Sequence, residues 1–200
     1  MKGKGNEFGF RYDTLEGFNF SIARFELDLD SELVFVGDAG TTEPSDPSRR
    51  SGIELSSFWE IGEPLVFDIS VAKSDGHFRG LPPGENAIPD AHDLVAAAGL
   101  TYPVPNGWTT SLRVRHFSDT TLTKDESVKK DSSTLIHFGV SYEQDSWELG
   151  LDVFNLLDRE DEDIAYWFES RLPSEAVAVE DIHFHPSNKR AIRVLLKYKL

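Results

Sequence analysis

Residues 133–155, STLIHFGVSYEQDSWELGLDVFN, carry the pattern on which the predicted fold depends. In the second half of this stretch, apolar residues alternate with small or charged ones, so an extended chain has one apolar and one polar face. Gln144 and Asp145 separate the two halves, as expected for a tight turn. The stretch therefore predicts an antiparallel β-hairpin. The alternating apolar positions are Trp147, Leu149, Leu151 and Val153.

The same period of two recurs along the chain and predicts about nine strands. One predicted strand changes its apolar face near Ala23, where we expect a β-bulge. Residues 91–100 are rich in Ala but are predicted as a strand, whereas residues 164–172 are predicted as a short helical turn. The nine segments lie near residues 5–12, 17–36, 50–60, 64–74, 92–102, 107–117, 133–143, 146–155 and 190–200.

The predicted connections alternate between short and long. The short ones cover residues 13–16, 61–63, 103–106 and 144–145, and the long ones cover residues 37–49, 75–91, 118–132 and 156–189. An outer-membrane barrel has short turns at one rim and long extracellular loops at the other, whereas a soluble sandwich has no reason to alternate in this way. The pattern predicts an all-β, antiparallel up-and-down meander that forms part of a transmembrane barrel.

Aromatic residues flank the short turns. Amphipathic rings settle at the level of lipid headgroups, so these side chains are predicted to form an interface girdle at one rim. The alternative explanation is the general preference of aromatic residues for strands. The predicted girdle comprises Tyr12, Trp59, Tyr102, Trp108, Tyr142, Trp147 and Tyr198, with Phe18 beside it.

Composition excludes several classes of function. The formal net charge of -15 argues against nucleic acid and against anionic membrane surfaces as partners, because phosphates would be repelled, and any anionic ligand would need a local arginine cluster. The chain contains no cysteine, which removes disulfides and thiolate chemistry. No apolar run of about 18 residues is present, so no transmembrane helix is expected, and the first residues lack the apolar segment of a secretory signal. Residues 1–200 are predicted to form one domain.

Several short strings resemble TonB-dependent receptors. Residues 31–44 and 48–54 are similar to a strand, loop and returning strand of that family, and residues 152–158 resemble its closing "N-L-[FL]-D" signature. Residues 170–173 and 181–186 fit one subgroup of these receptors. The positions that carry the resemblance are Gly37, Asp38, Gly40, Glu43, Arg50, Gly52, Glu54, Asn155, Leu156, Asp158, Arg171, His183 and His185.

The resemblance implies an outer-membrane receptor with a barrel of about 22 strands filled by an N-terminal plug. This chain is then expected to be the C-terminal part of the barrel, without the plug, the TonB box or the first strands. The implied partners are outer-membrane lipid, the rest of the barrel and the plug, the TonB energy-coupling complex acting through the plug, and a small-molecule ligand of unknown identity. Leu200 departs from the family, which normally ends on an aromatic residue.

The resemblance also implies that polar residues on the strands line a lumen. With the nine strands alone, these residues would crowd an edge-to-edge closure, so we expect an open, strongly curved half-barrel. The expected lumen residues are Asp28, Asp30, Glu32, Asp68, Arg113, Arg115, Glu148, Asp152 and Arg193.

No enzymatic site is predicted, and no cofactor. Asp181, His183 and His185 alternate at strand spacing and offer metal ligands, but packing within a loop explains them better, and we predict no stoichiometric zinc. The acidic residues between 158 and 163 are predicted to be a solvated loop, since they lack the glycine turn of a calcium site. Two alternatives stay open: a soluble carbohydrate-binding sandwich, and a cupin-like metalloenzyme that uses His183 and His185.

Overall fold

The computed structural model describes residues 2–15, 17–36, 40–62 and 64–198, and these residues form strands, turns and loops without a helix. No helix in this part of the chain is therefore long and apolar enough to cross a membrane. The strands are β1 (Gly3–Asp13), β2 (Phe18–Leu29), β3 (Leu33–Val36), β4 (Thr41–Pro44), β5 (Ser48–Ile61), β6 (Leu65–Phe78), β7 (Leu94–Val104), β8 (Trp108–Phe117), β9 (Thr120–Thr121), β10 (Lys129–Lys130), β11 (Ser133–Gln144), β12 (Trp147–Phe154), β13 (Glu162–Ser170), β14 (Val179–Pro186) and β15 (Ala191–Tyr198).

Nine of these strands form one sheet in the order β1-β2-β5-β6-β7-β8-β11-β12-β15. Every neighbouring pair is antiparallel, and apart from the small hairpins the spatial order follows the order in the chain. Successive connections therefore lie at opposite rims, with the short turns at one rim and the long loops at the other. The predicted nine-strand meander is confirmed.

Three of the long loops contain a small hairpin of their own. β3 pairs with β4, β9 with β10, and β13 with β14, each as a separate two-stranded sheet. Because a two-stranded ribbon is marginally stable in water, these hairpins depend on contacts with the rest of the loops.

Three local predictions are wrong. Residues 17–36 are two strands, since β2 ends at Leu29 and β3 belongs to the first loop hairpin. No bulge occurs at Ala23, which stays in register with both Gly9 and Glu54. Residues 164–172 do not form a helical turn: most of them lie in β13, where pairing with β14 satisfies the backbone and favours the aromatic run Tyr166, Trp167 and Phe168.

The register of the large sheet separates an apolar from a polar face. On the apolar face, Leu149 lies opposite Leu196, and Leu151 opposite Val194. Leu149, Leu196 and Val194 are 50%, 64% and 68% exposed. A sandwich would bury this face under a second sheet, but the other sheets among the described residues are the small loop hairpins. The arrangement argues against the soluble sandwich.

The turns at the short rim are tight and are tied to one another. Asp145 and Asn106 have positive φ values of 47° and 69°, which short hairpin turns require and which Asn and Asp tolerate. The Glu143 N–H donates to the carbonyl oxygen of Gly107 at 2.8 Å, and that of Glu60 donates to Gly17 at 3.0 Å. These bonds join the first short turn to the second and the third to the fourth.

The sheet is open. Among the described residues, β1 pairs only with β2, and β15 pairs only with β12. Both edge strands are exposed along their length, including Phe8 at 85% and Ile192 at 67%. Each edge therefore presents unpaired backbone N–H and C=O groups, each of which would cost several kcal/mol in hydrocarbon.

The isolated chain, refolded in detergent micelles, is expected to give no heat-modifiable monomer and no stable ion conductance, because its two edges are unpaired. Electrophoretic migration with and without boiling, together with conductance in planar bilayers, measures this. A small closed outer-membrane barrel refolded in parallel is the positive control. A heat-modifiable monomer with stable conductance would show that β1 and β15 pair with each other.

Candidate functional site

Ion pairs link the strands across the polar face of the large sheet. Arg193 contacts Asp152 at 2.8 Å, and Lys197 contacts Glu148 at 2.8 Å, in each case between directly paired residues of β15 and β12. The predicted inward residues Asp68, Arg113, Arg115, Glu148, Asp152 and Arg193 all lie on this face. The wall is therefore polar, and most of its charges are compensated locally.

One ion pair spans a whole intervening strand. Arg113 of β8 binds both oxygens of Asp68 of β6 at 2.8 Å, although β7 lies between them. Gly99 of β7 is in register with both residues. A Cβ at Gly99 would lie 2.5 Å from Asp68 Oδ1 and would clash with the Arg113 guanidinium. The pair exists because residue 99 has no side chain.

A second glycine on the polar face is crowded by side chains of its two neighbouring strands. Gly139 lies between Ser111 and Asp152, and a Cβ there would be 2.6 Å from Ser111 Oγ and 3.0 Å from Asp152 Oδ1. Sequence reasoning missed the role of Gly99 and Gly139. The available signal was an isolated glycine within a strand pattern, which indicates a close approach by a neighbouring group.

A recess opens on the polar face just below the long loops. It has a volume of about 500 Å³ and is lined by strand residues and by the last loop. Arg115 lies in its wall with its guanidinium carbon 5.7 Å from the centroid of the Phe117 ring, and within the described residues it has no carboxylate partner. The recess is lined by Arg115, Leu135, His137, Phe154, Asn155, Asp163, Ser187, Asn188, Lys189 and Ala191.

The long loops are bound to one another rather than standing free. Lys130 is only 4% exposed, and its ammonium contacts Asp90 at 3.4 Å and donates to the carbonyl oxygen of Asp163 at 3.3 Å. Lys124 bonds Asp46 of the first loop at 2.8 Å. Phe78, Ile88 and Leu122 are buried beside them. The buried Lys130 was not predicted, because nothing local distinguishes it from its neighbour Lys129.

The "N-L-L-D" string, residues 155–158, binds the two ends of the last long loop to each other. Asn155 is 3% exposed, with a positive φ of 50°. Its amide nitrogen donates to the carbonyl oxygens of Arg159 at 2.8 Å and Asn188 at 3.0 Å. Asp158 accepts a hydrogen bond from the Arg190 N–H at 2.8 Å, and the Leu156 N–H bonds Ile136. These residues therefore hold the start of β15 against the end of β12.

Residues 31–44 and 48–54, the first stretches that resemble the family, contribute a polar cluster at the rim that carries the long loops. Arg50 binds Glu32 at 2.9 Å, and the hydroxyl of the fully buried Ser48 also donates to Glu32. Burial raises the pKa of the Glu32 carboxyl, but the hydrogen bonds from Ser48 and Arg50 outweigh this and hold the pKa below its ordinary value.

Other positions of those stretches have different surroundings. Gly40 has a positive φ of 61° in the β3–β4 turn, and Glu43 is exposed in β4. Gly52 lies under the Phe25 ring, 2.9 Å from where a Cβ would be, and Glu54 is exposed. Gly37 and Asp38 lie outside the described residues, as does Leu200.

The prediction that Asp28 lines the lumen is wrong. The register puts Asp28 on the same face as Phe18, the apolar one, at the end of β2 nearest the loops. There Arg49 binds it through two hydrogen bonds of 2.7 Å and 2.9 Å. Asp30 and Glu32 lie beyond the end of β2.

The histidines of the last hairpin do not form a metal site with their neighbours. The ring of His183 stacks on Phe168 with centroids 3.8 Å apart, and His185 is exposed. Arg171, in the turn after β13, donates to the carbonyl oxygen of Glu175. The described residues hold no group of three or more His, Cys, Asp or Glu placed to bind a metal. That the protein binds no stoichiometric zinc stays a prediction.

The predicted girdle residues lie together at the short-turn rim. Neighbouring strands place their rings in contact: Trp147 and Tyr198 have centroids 4.7 Å apart, and Trp108 and Tyr142 are 4.9 Å apart. Trp59 reaches Tyr12 through the intervening ring of Phe18, with centroid distances of 5.9 Å and 6.2 Å. Tyr102, 40% exposed, lies on β7 in the middle of the sheet, between the rings near Trp59 and those near Trp108.

A sequence model of the family "TonB dependent receptor-like, beta-barrel" matches residues 1–156, more than half of the chain. The chain belongs to the TonB-dependent receptor family. Members of this family are outer-membrane proteins, so the girdled apolar face of the sheet is the one that suits lipid and the ion-paired face the one that suits a lumen.

Solved structures show the same fold. The ferric yersiniabactin uptake receptor from Yersinia pestis matches with a TM-score of 0.73 and 16% identity over 98% of this chain and 29% of its own. The siderophore receptor PiuA from Acinetobacter baumannii gives 0.73 and 16% over 98% and 28%. A ferric citrate transporter gives 0.71 and 15% over 98% and 31%. The chain thus spans less than a third of the length of these receptors.

Replacing Gly99 by alanine is expected to destabilise the barrel by at most about 1 kcal/mol, because the added methyl displaces the partly exposed ion pair between Asp68 and Arg113. The urea midpoint of the complete receptor that contains these strands measures this. Ala97→Gly, on the same face of β7, is the matched control, with an expected loss of about 0.5–1 kcal/mol.

A double-mutant cycle assigns the cause of that loss. In an Asp68→Ala background the crowded carboxylate is gone, so Gly99→Ala is expected to cost less than in the wild type. An equal cost in both backgrounds would show that the glycine is needed for another reason.

Proposed function

We propose that this chain is the C-terminal part of the barrel of an outer-membrane receptor that takes up a small ligand, with the plug and the remaining strands lying outside residues 1–200. The observation that carries this proposal is the combination of an exposed apolar face with a polar face whose charges are paired across strands. Such a sheet suits lipid on one side and a water-filled or plug-filled lumen on the other.

The loops and the upper recess form the proposed ligand site. Bonds from Lys124 and Lys130 join the four long loops into one connected cap, which supports a preformed surface rather than four independent loops. Arg115 in the recess has no carboxylate partner in the described part of the chain, so an anionic ligand can take that place. The structurally similar receptors for ferric yersiniabactin and ferric citrate make an iron complex the first ligand to test.

The proposed mechanism is binding at the loops followed by passage along the lumen wall. The ion pairs between Asp68 and Arg113 and between Asp152 and Arg193 keep the wall polar without leaving strong uncompensated charge. Energy would come from the TonB complex acting on the plug. The girdle residues would anchor the short-turn rim at the lipid headgroups.

We propose no enzymatic activity for this chain. The cupin-like alternative depended on His183 and His185, and in the described residues these share no metal-binding geometry with a third ligand. His183 instead stacks on Phe168 within the β13–β14 hairpin. The family consists of transport receptors, which agrees with this proposal.

Uptake by intact cells tests the function. Deleting the gene that encodes these strands is expected to lower import of radiolabelled iron, supplied as ferric citrate or as a ferric catecholate. Restoring the complete gene is expected to recover it. An Arg115→Gln receptor is expected to import about tenfold less at low ligand concentration, since a charge-assisted contact is lost.

Arg171→Gln is the matched control, because it removes an arginine from the loop hairpin and leaves the recess intact. Unchanged import in the deletion strain for both iron complexes and for a copper salt would contradict a role in metal uptake. Equal loss in both arginine variants would contradict the recess as the ligand site.

A further inference from the structure

A row of four residues crosses the apolar face near its loop-side edge. Phe8, Arg24, Ile53 and Lys73 are in register on β1, β2, β5 and β6, so two cations alternate with two apolar side chains. The row lies six residues along β5 from Trp59 in the girdle, or about 20 Å at the usual rise of a strand. It therefore lies near the upper edge of an apolar band about 25 Å tall.

Neither cation has a partner in the described chain. No side-chain hydrogen bond, ion pair or ring contact involves Arg24 or Lys73 among these residues, although the protein carries a net charge of -15. The nearest acids on this face lie beside other groups. Glu26 lies 3.7 Å from Arg49, and Asp75 lies 3.4 Å from His77, whose ring is charged only when protonated.

The position of these cations constrains what can neutralise them. A lysine or arginine on the lipid face costs about 2–4 kcal/mol at the midplane of the bilayer but about 0–1 kcal/mol near the interface. Long side chains at the interface extend their charges toward the headgroups. Arg24 and Lys73 flank Ile53 on the two neighbouring strands, about 10 Å apart along the sheet, so both can reach one group above Ile53.

We propose that Arg24 and Lys73 bind the phosphate of an anionic lipid headgroup in the outer leaflet, a site that rests on the proposed outer-membrane location. The planar guanidinium of Arg24 suits two phosphate oxygens, and the Lys73 ammonium adds a point charge. Ile53 and Phe8, 49% and 85% exposed, provide apolar contact for the acyl chains below.

Native mass spectrometry of the complete receptor in detergent micelles tests this site. Phosphatidic acid and phosphatidylcholine with identical acyl chains are the probes, and inorganic phosphate is the competitor. The wild-type receptor is expected to retain phosphatidic acid preferentially. The double variant Arg24→Gln, Lys73→Gln is expected to bind it at least about tenfold more weakly. The loop variant Lys129→Gln, Arg171→Gln removes the same charge and is expected to bind as the wild type does.

The outcomes separate the lipid site from the proposed function. No preference of the wild type for phosphatidic acid, or equal weakening in both double variants, would overturn the site. Displacement of the lipid by an equal concentration of inorganic phosphate would show a phosphate site that does not need a lipid, and would also overturn it. Iron uptake by cells with the same receptors is measured alongside. Iron uptake without lipid preference contradicts only the site, whereas lipid preference without iron uptake in the wild type contradicts only the proposal that the ligand is an iron complex.

Discussion

The backbone hydrogen bonds of the large sheet are the constraint on which the other features depend. Inside hydrocarbon every N–H and C=O group needs a partner, and nine consecutive antiparallel strands supply these partners along all their shared edges. Because that ladder fixes the register, it also fixes which side chains share a face. The apolar row of Leu149 and Leu196 and the charged row of Asp152 and Arg193 both follow from the pairing of β12 with β15.

The same strand register determines where the charged side chains of the polar face lie. Paired strands hold Glu148 beside Lys197, while Gly99 leaves room for the longer contact between Asp68 and Arg113 across β7. Above the sheet, Asn155 and Lys130 donate hydrogen bonds to the backbone carbonyl oxygens of Asn188 and Asp163, each 33 residues further along the chain. Among the described residues Arg115 has no carboxylate partner, and it therefore differs from the other charges of the wall, most of which are compensated.

The nine strands were predictable from the sequence because a half-buried strand shows its period locally. Residues 107–117 and 146–155 were predicted as strands, and the structure has Trp108–Phe117 and Trp147–Phe154. The β13–β14 hairpin was missed, since the backbone partner of residues 164–170 lies beyond a turn that the local pattern does not reveal.

The apolar Phe25 suggested a bulge at Ala23, but it faces inward to cover Gly52, a contact between strands that alternation alone does not show. The buried Lys130 was missed for the same reason, because its partners come from two other loops.

The central claim is that one face of this sheet contacts lipid and the other a lumen, and spin labels on adjacent residues test it most directly. Residues 1–200 contain no cysteine, so in a complete receptor whose other cysteines, if any, are replaced, single cysteines can be introduced at Val71, Leu112 and Val140 on the apolar face and at Ser70, Ser111 and Ser141 beside them. In the complete receptor in lipid vesicles, the first three labels are expected to collide with oxygen and the second three with a water-soluble nickel chelate. Equal accessibility of the two sets, or the reverse pattern, would contradict the account.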